Sequence, residues 1–131
     1  MVTTRGGGLT RRFVAAPSSV GPARAWVLAR ARAAGVTGEL LEHLELMTSE
    51  VVTNAVRHAG STPHVTVGVT ARGGRLVVEV ADGDVRPPQV RADRAGLPGG
   101  HGMRIVESLS HAWGWRPDRA GGKVVWFSIS P

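Results

Sequence analysis

The chain has 131 residues and no cysteine. That excludes disulfides, cysteine-bound metal and thiol nucleophiles, and it agrees with a cytoplasmic location. No apolar run approaches the ~20 residues that a membrane-spanning helix needs, so no membrane association is expected. The opening MVTTRGGGLTRR lacks the apolar stretch of a signal peptide. Five histidines show no HExxH or related ligand spacing, so they read as ordinary polar residues rather than metal ligands. There is no GxSxG elbow and no GxxxxGK followed by Ser or Thr, which leaves out the serine-hydrolase and P-loop signatures.

What is present is a hydrophobic content of 42% and a formal net charge of +6. The size suits one domain with a modest core. Fifteen of the sixteen basic residues are arginine, scattered without the basic helix or aromatic platform of a nucleic-acid module. No direct nucleic-acid binding is expected. Trp26, Trp113, Trp115 and Trp126 are likewise too dispersed for base stacking and read as core or interface packing.

Residues 1–9 are polar and Gly-rich and are expected to form a flexible tail, with 10–131 as a single domain. Arg11–Ala16 can form a short edge strand. A helix follows from an N-cap at Ser18 to about Ala34, with Val20, Ala23, Val27 and Ala31 on one face. Two alternating strands, His64–Thr70 and Arg75–Asp82, flank a Gly73-Gly74 hairpin. A third helix is expected over about Gly102–His111, then strands near Trp113–Arg116 and Lys123–Ser130. Residues 83–99 have Pro, Gly and charge but no periodicity, as expected of a lid over a ligand. The order implies an α+β fold, a two-layer α/β sandwich whose mostly antiparallel sheet carries helices on one face.

One helix changes its chemistry halfway along. Within ELLEHLELMTSEVVTNAVRHA (Glu39–Ala59), Leu40, Leu44 and Met47 mark a buried stripe. Continued, the stripe meets Glu50, then Asn54, then Arg57 or His58. A carboxylate and an amide one turn apart thus stand where apolar residues are expected, and burial without partners is costly. This helix lines a site. Asp82 ends its strand in phase with Leu76, Val78 and Val80, which directs its carboxylate toward the core. It can accept a hydrogen bond from an amino group on a planar ligand, or cap an Asp-Gly turn; taken alone, the residue favours the turn. Gly96, Gly99, Gly100 and Gly102 precede the third helix, where close backbone approach and unpaired N–H groups suit a phosphate. His58 can touch a nucleotide edge or cap the helix end.

In order, the chain gives SEVVTNAVRHA, VEVADGD, GLPGGHGMRIVESL and GKVVWFSI. This series resembles the ATP-binding domain of the GHKL superfamily of gyrase, heat-shock chaperone, histidine kinase and mismatch-repair ATPases. Within it, the chain is most similar to the small stand-alone branch of anti-sigma-factor serine kinases common in actinobacteria. The resemblance implies Glu50 as general base and Asn54 as magnesium ligand. It implies Asp82, backed by Gly83, as the adenine acceptor, and the box Gly100-His101-Gly102-Met103 around the phosphates. ATP and Mg²⁺ are the implied cofactors. The implied function is a serine/threonine protein kinase acting as an anti-sigma factor in a partner-switching circuit. The implied partners are a sigma factor, an anti-sigma-factor antagonist and a second copy of the chain in a homodimer. The alternative is a nucleotide-dependent binding module without kinase activity.

Two departures bear on that choice. The DxGxG box of the ATPases reads Asp82-Gly83-Asp84-Val85-Arg86 here, with Pro87 and Pro88 beyond it. Kinases of the branch carry an arginine two residues before the second glycine box, where this chain has Pro98; Arg94 or Arg104 would have to substitute.

Overall fold

Three segments place an apolar residue at every second position, and they form the centre of one sheet. In a computed structural model of the chain, residues 2–5, 8–88 and 102–131 are described. The strands are β1 (Val2–Arg5), β2 (Gly8–Val14), β3 (His64–Arg72), β4 (Arg75–Asp82), β5 (Ala112–Pro117) and β6 (Lys123–Ile129). The helices are α1 (Val20–Ala33), entered through a short 3₁₀ turn at Pro17–Ser19, α2 (Glu39–Arg57) and α3 (Gly102–Leu109). The six strands lie in the order β1-β2-β3-β4-β6-β5, and every pairing is antiparallel. The expected two-layer α+β sandwich is the observed fold.

The core sits between sheet and helices. Val65, Val67 and Val69 of β3, Leu76, Val78 and Val80 of β4, and Val125, Phe127 and Ile129 of β6 are all buried. From the helical layer come Ala23, Trp26, Val27 and Ala31 of α1, and Leu44, Met47, Val51, Val52 and Ala55 of α2. Trp26 meets Phe13 of β2 edge to face, with centroids 6.4 Å apart, a favoured aromatic geometry. Among the described residues, no helix is long and apolar enough to cross a membrane.

Within the expected tail, Val2–Arg5 and residues 8–9 lie in strands. Val2–Arg5 pairs with β2, Val2 opposite Arg11 and Arg5 opposite Gly8. The Val-Thr-Thr run favours extended backbone, and an edge strand gains its hydrogen bonds without needing apolar side chains. Composition alone therefore hid it. β2 begins at Gly8 rather than Arg11 and, paired on both sides by β1 and β3, is an interior strand rather than the expected edge strand; α1 starts at Val20 because Pro17-Ser18-Ser19 makes the 3₁₀ turn first.

The β4–β6 pairing sets the stage for the site. Its register runs from Leu76 opposite Ile129 to Asp82 opposite Lys123. The chain enters β6 through Gly121 and Gly122, both at positive φ (94° and 79°). At Gly122 a Cβ would also run into the Asp82 carbonyl and the Gly83 Cα, whereas at Gly121 it would meet open space. Gly121→Ala should therefore lose only the ~1–2 kcal/mol of a left-handed non-glycine residue. Gly122→Ala should lose a further ~1–3 kcal/mol from overpacking. Denaturant unfolding of the two variants checks this, and equal losses would mean that the close approach at Gly122 carries no weight.

Candidate functional site

The C-terminal end of β4 meets the C-terminal end of α2 and the start of β6. Asp82, the last residue of β4, is 5% exposed. Its Oδ1 accepts the Asp84 N–H at 2.8 Å and the Lys123 ammonium at 3.1 Å. Both readings of Asp82 are thus realised together: the side chain is buried and it also closes an Asx turn. Among the described residues, Oδ2 accepts no hydrogen bond. Lys123 is itself 2% exposed and also donates to the Asp84 carbonyl at 3.2 Å. Burial pushes the Asp82 carboxyl above its ordinary pKa of 3.8, while the Asp84 N–H and Lys123 oppose the shift.

Gly83 follows at the mouth of this pair. A Cβ there would collide with the Thr62 side chain and the Ala59 carbonyl, so only glycine lets the turn after α2 close on the strand end. Asp84 then turns outward to a two-pronged pair with Arg86, at 3.1 and 2.9 Å. That pairing, first through the guanidinium and second through the Arg86 N–H, lowers Asp84 to about 2. His58, the C-cap of α2, brings Nδ1 within 3.9 Å of Asp84 Oδ2, the oxygen that Arg86 also engages. It therefore ends the helix and also borders the site.

Glu50 and Asn54 lie further back on α2, and both are half-buried. The fully buried line of α2 does not run through them: it passes from Met47 and Thr48 to Val51, Val52 and Ala55. The two polar residues flank that line, one turn apart. A helix rises 1.5 Å per residue, so Asn54 and Glu50 stand ~6 and ~12 Å back along the axis from His58. Among the described residues neither side chain has a hydrogen-bond partner, so their oxygens are available to a ligand. Amide and carboxylate oxygens are the donors Mg²⁺ prefers. No group of three His, Cys, Asp or Glu side chains suited to a metal exists among the described residues.

The glycine box is only partly described. Gly100 and His101 lie outside the described residues, as do Pro98, Arg94 and residues 89–99 of the expected lid. Gly102 opens α3, which packs on α2. Met103 has its side chain in the core, 3% exposed. Its N–H remains among the first four of the helix, which have no intrahelical acceptor. A separate open groove at the β3–β4 hairpin, bordered by Val36, Arg72 and Leu76, lies at the far end of β4 and holds none of these residues.

The residue that sequence reasoning missed is Lys123. The signal was there: Lys123 is in phase with Val125, Phe127 and Ile129, so it points inward at the start of β6, just as Asp82 does at the end of β4.

A family model described as a histidine kinase-like ATPase domain matches residues 13–129. No curated protein matches the sequence. Among solved structures, the chain is similar to the RsbU and RsbW domains of Rv1364c from Mycobacterium tuberculosis, with a TM-score of 0.71 at 19% identity. The likeness covers 94% of this chain and 32% of that one, so the chain spans about a third of the larger protein's length.

The charge pattern has a direct test. In Arg86→Ala, Asp84 should titrate close to its ordinary value of 3.8 instead of about 2. A lowered carboxyl stabilises the fold above pH 3.8 and loses that contribution as pH falls toward 2. The variant should therefore lose the part of the acid-unfolding profile that lies between those values. Carboxyl-carbon NMR of Asp84 reads the midpoint, and an unchanged value would remove Arg86 as the cause.

Proposed function

Because the chain belongs to the histidine kinase-like ATPase domain family, we propose that the site beside Asp82 binds an adenine nucleotide with Mg²⁺. We propose further that it passes the terminal phosphoryl group to a serine or threonine of a protein partner. The observation that carries this reading is the buried Asp82 at the end of β4, with one oxygen unused by described donors, beside the C-terminal end of α2, which carries Asn54 and Glu50. A carboxylate so placed accepts the 6-amino group of adenine and meets a guanine carbonyl with repulsion.

Each residue has a part in the chemistry. Asp82 orients the base, and Gly83 lets the backbone come close enough for that contact. The Asn54 carbonyl would hold the metal, which when bound would neutralise phosphate charge. Glu50, one turn away, would take the proton from the acceptor hydroxyl as it attacks. The first N–H groups of α3 would cradle phosphate oxygens. The order of the sequence motifs supports a partner-switching role, in which the protein sequesters a sigma factor and phosphorylates an antagonist. A second reading, a nucleotide-dependent binding module, is favoured by Pro98, which supplies neither charge nor N–H where the branch's kinases carry arginine.

Calorimetry and label transfer separate the two. ATP should bind far more tightly than GTP, and Asp82→Ala should cost ~1–3 kcal/mol of ATP affinity. Equal affinity for the two nucleotides would refute the adenine assignment. Glu50→Gln should keep ATP binding and lose ~10²–10⁴-fold of transfer to a co-encoded serine-bearing partner. Asn54→Ala should abolish the magnesium dependence of binding. A wild type that binds ATP and partner but transfers no label would decide for the binding module.

A further inference from the structure

Lys123 is the chain's single lysine among fifteen arginines, and it occupies a core-facing position of β6. Burying an ammonium costs several kcal/mol, and replacing a buried ion pair by apolar residues is often neutral or stabilising. The next core-facing positions of β6 are apolar: Val125, Phe127 and Ile129. A strand end needs no cation for stability there. The choice of lysine is also specific. An arginine fork engages both oxygens of a carboxylate side by side, whereas an ammonium is a compact charge with three separate donors. Lys123 uses two of its donors, one on Asp82 Oδ1 and one on the Asp84 carbonyl.

We propose that Lys123 is the positioning residue for purine selectivity, holding Asp82 as an acceptor-only carboxylate with Oδ2 left open to a 6-amino purine. The proposal rests on the adenine reading of the site. Without the ammonium, desolvation would act on Asp82 unopposed except by the Asp84 N–H, and the carboxyl would take up a proton closer to neutrality. A protonated carboxyl is a donor and pairs with the 6-oxo group it otherwise rejects. Lys123 from β6 and Asp84 beyond β4 are the charged groups facing Asp82. Asp84 in turn faces Arg86 and, from α2, His58.

The test pairs nucleotide binding with the Asp82 carboxyl-carbon resonance, which reads that group directly and not His58. Probes are ATP and inosine triphosphate, which differ at the 6-substituent and the N1 proton. Wild type should prefer ATP with a flat profile between pH 6 and 8, and Asp82 should be ionised throughout. Lys123→Met should narrow the preference by roughly tenfold, most strongly at pH 6, and raise the Asp82 midpoint. Lys123→Arg should keep Asp82 ionised yet weaken ATP, because the fork covers Oδ2. An unchanged ratio and flat profile in Lys123→Met would overturn the proposal. So would an Asp82 that titrates above pH 6 in wild type, a measurement that needs no folded variant. A wild type that binds neither nucleotide would instead refute the adenine reading, and the Asp82 midpoint in Lys123→Met would still decide whether Lys123 sets that charge.

Discussion

The contact between Asp82 and Lys123 ties the last residue of one strand to the first residue of its neighbour, with both side chains out of water. Much of the site follows from it. The pair fixes where β4 stops, and Lys123 reaches past it to the Asp84 carbonyl to hold the first turn of the next segment. Gly122 must be glycine for β6 to start so close to the Asp82 carbonyl, and Gly83 must be glycine for the α2 turn to close over it. Removing one member of a buried pair leaves an uncompensated charge and costs ~3–5 kcal/mol. The Asp82–Lys123 pair is therefore costly to break from either side.

Two carboxylates two residues apart are driven in opposite directions by their surroundings. Burial raises Asp82, and an outward arginine lowers Asp84 to about 2. Both stand in the segment that departs from the DxGxG pattern, where Asp84 and Arg86 replace glycines and bind each other. An exposed pair of this kind adds little stability. Its effect is geometric: it holds the segment after Asp82 in a defined turn, with His58 of α2 beside the same carboxylate. α2 keeps Glu50 and Asn54 at the border of its buried face.

The fold was legible wherever side-chain periodicity reports burial. The valines of β3 and β4, the Leu44–Met47 stripe of α2 and the Val125-Phe127-Ile129 series all announced their elements. Asp82 was legible as an inward carboxylate for the same reason. β1 was not, because an edge strand is held by backbone hydrogen bonds that leave no apolar pattern. The partner of Asp82 was not either: strand register decides which residue lies opposite, and register is a tertiary fact. In the glycine box, Met103 sends its side chain to the core while its N–H stays among the unpaired first four of α3.

The ligand site we propose lies where β4, α2 and β6 meet. Amide NMR of the labelled wild type, titrated with ATP, tests it most directly. The largest shifts should fall at Asp82–Asp84, at Asn54–His58 and at Gly122–Lys123, while the β3–β4 hairpin around Gly73 and Gly74 stays unmoved. Shifts centred on that hairpin and its groove, with the Asp82 and Lys123 amides unchanged, would contradict it.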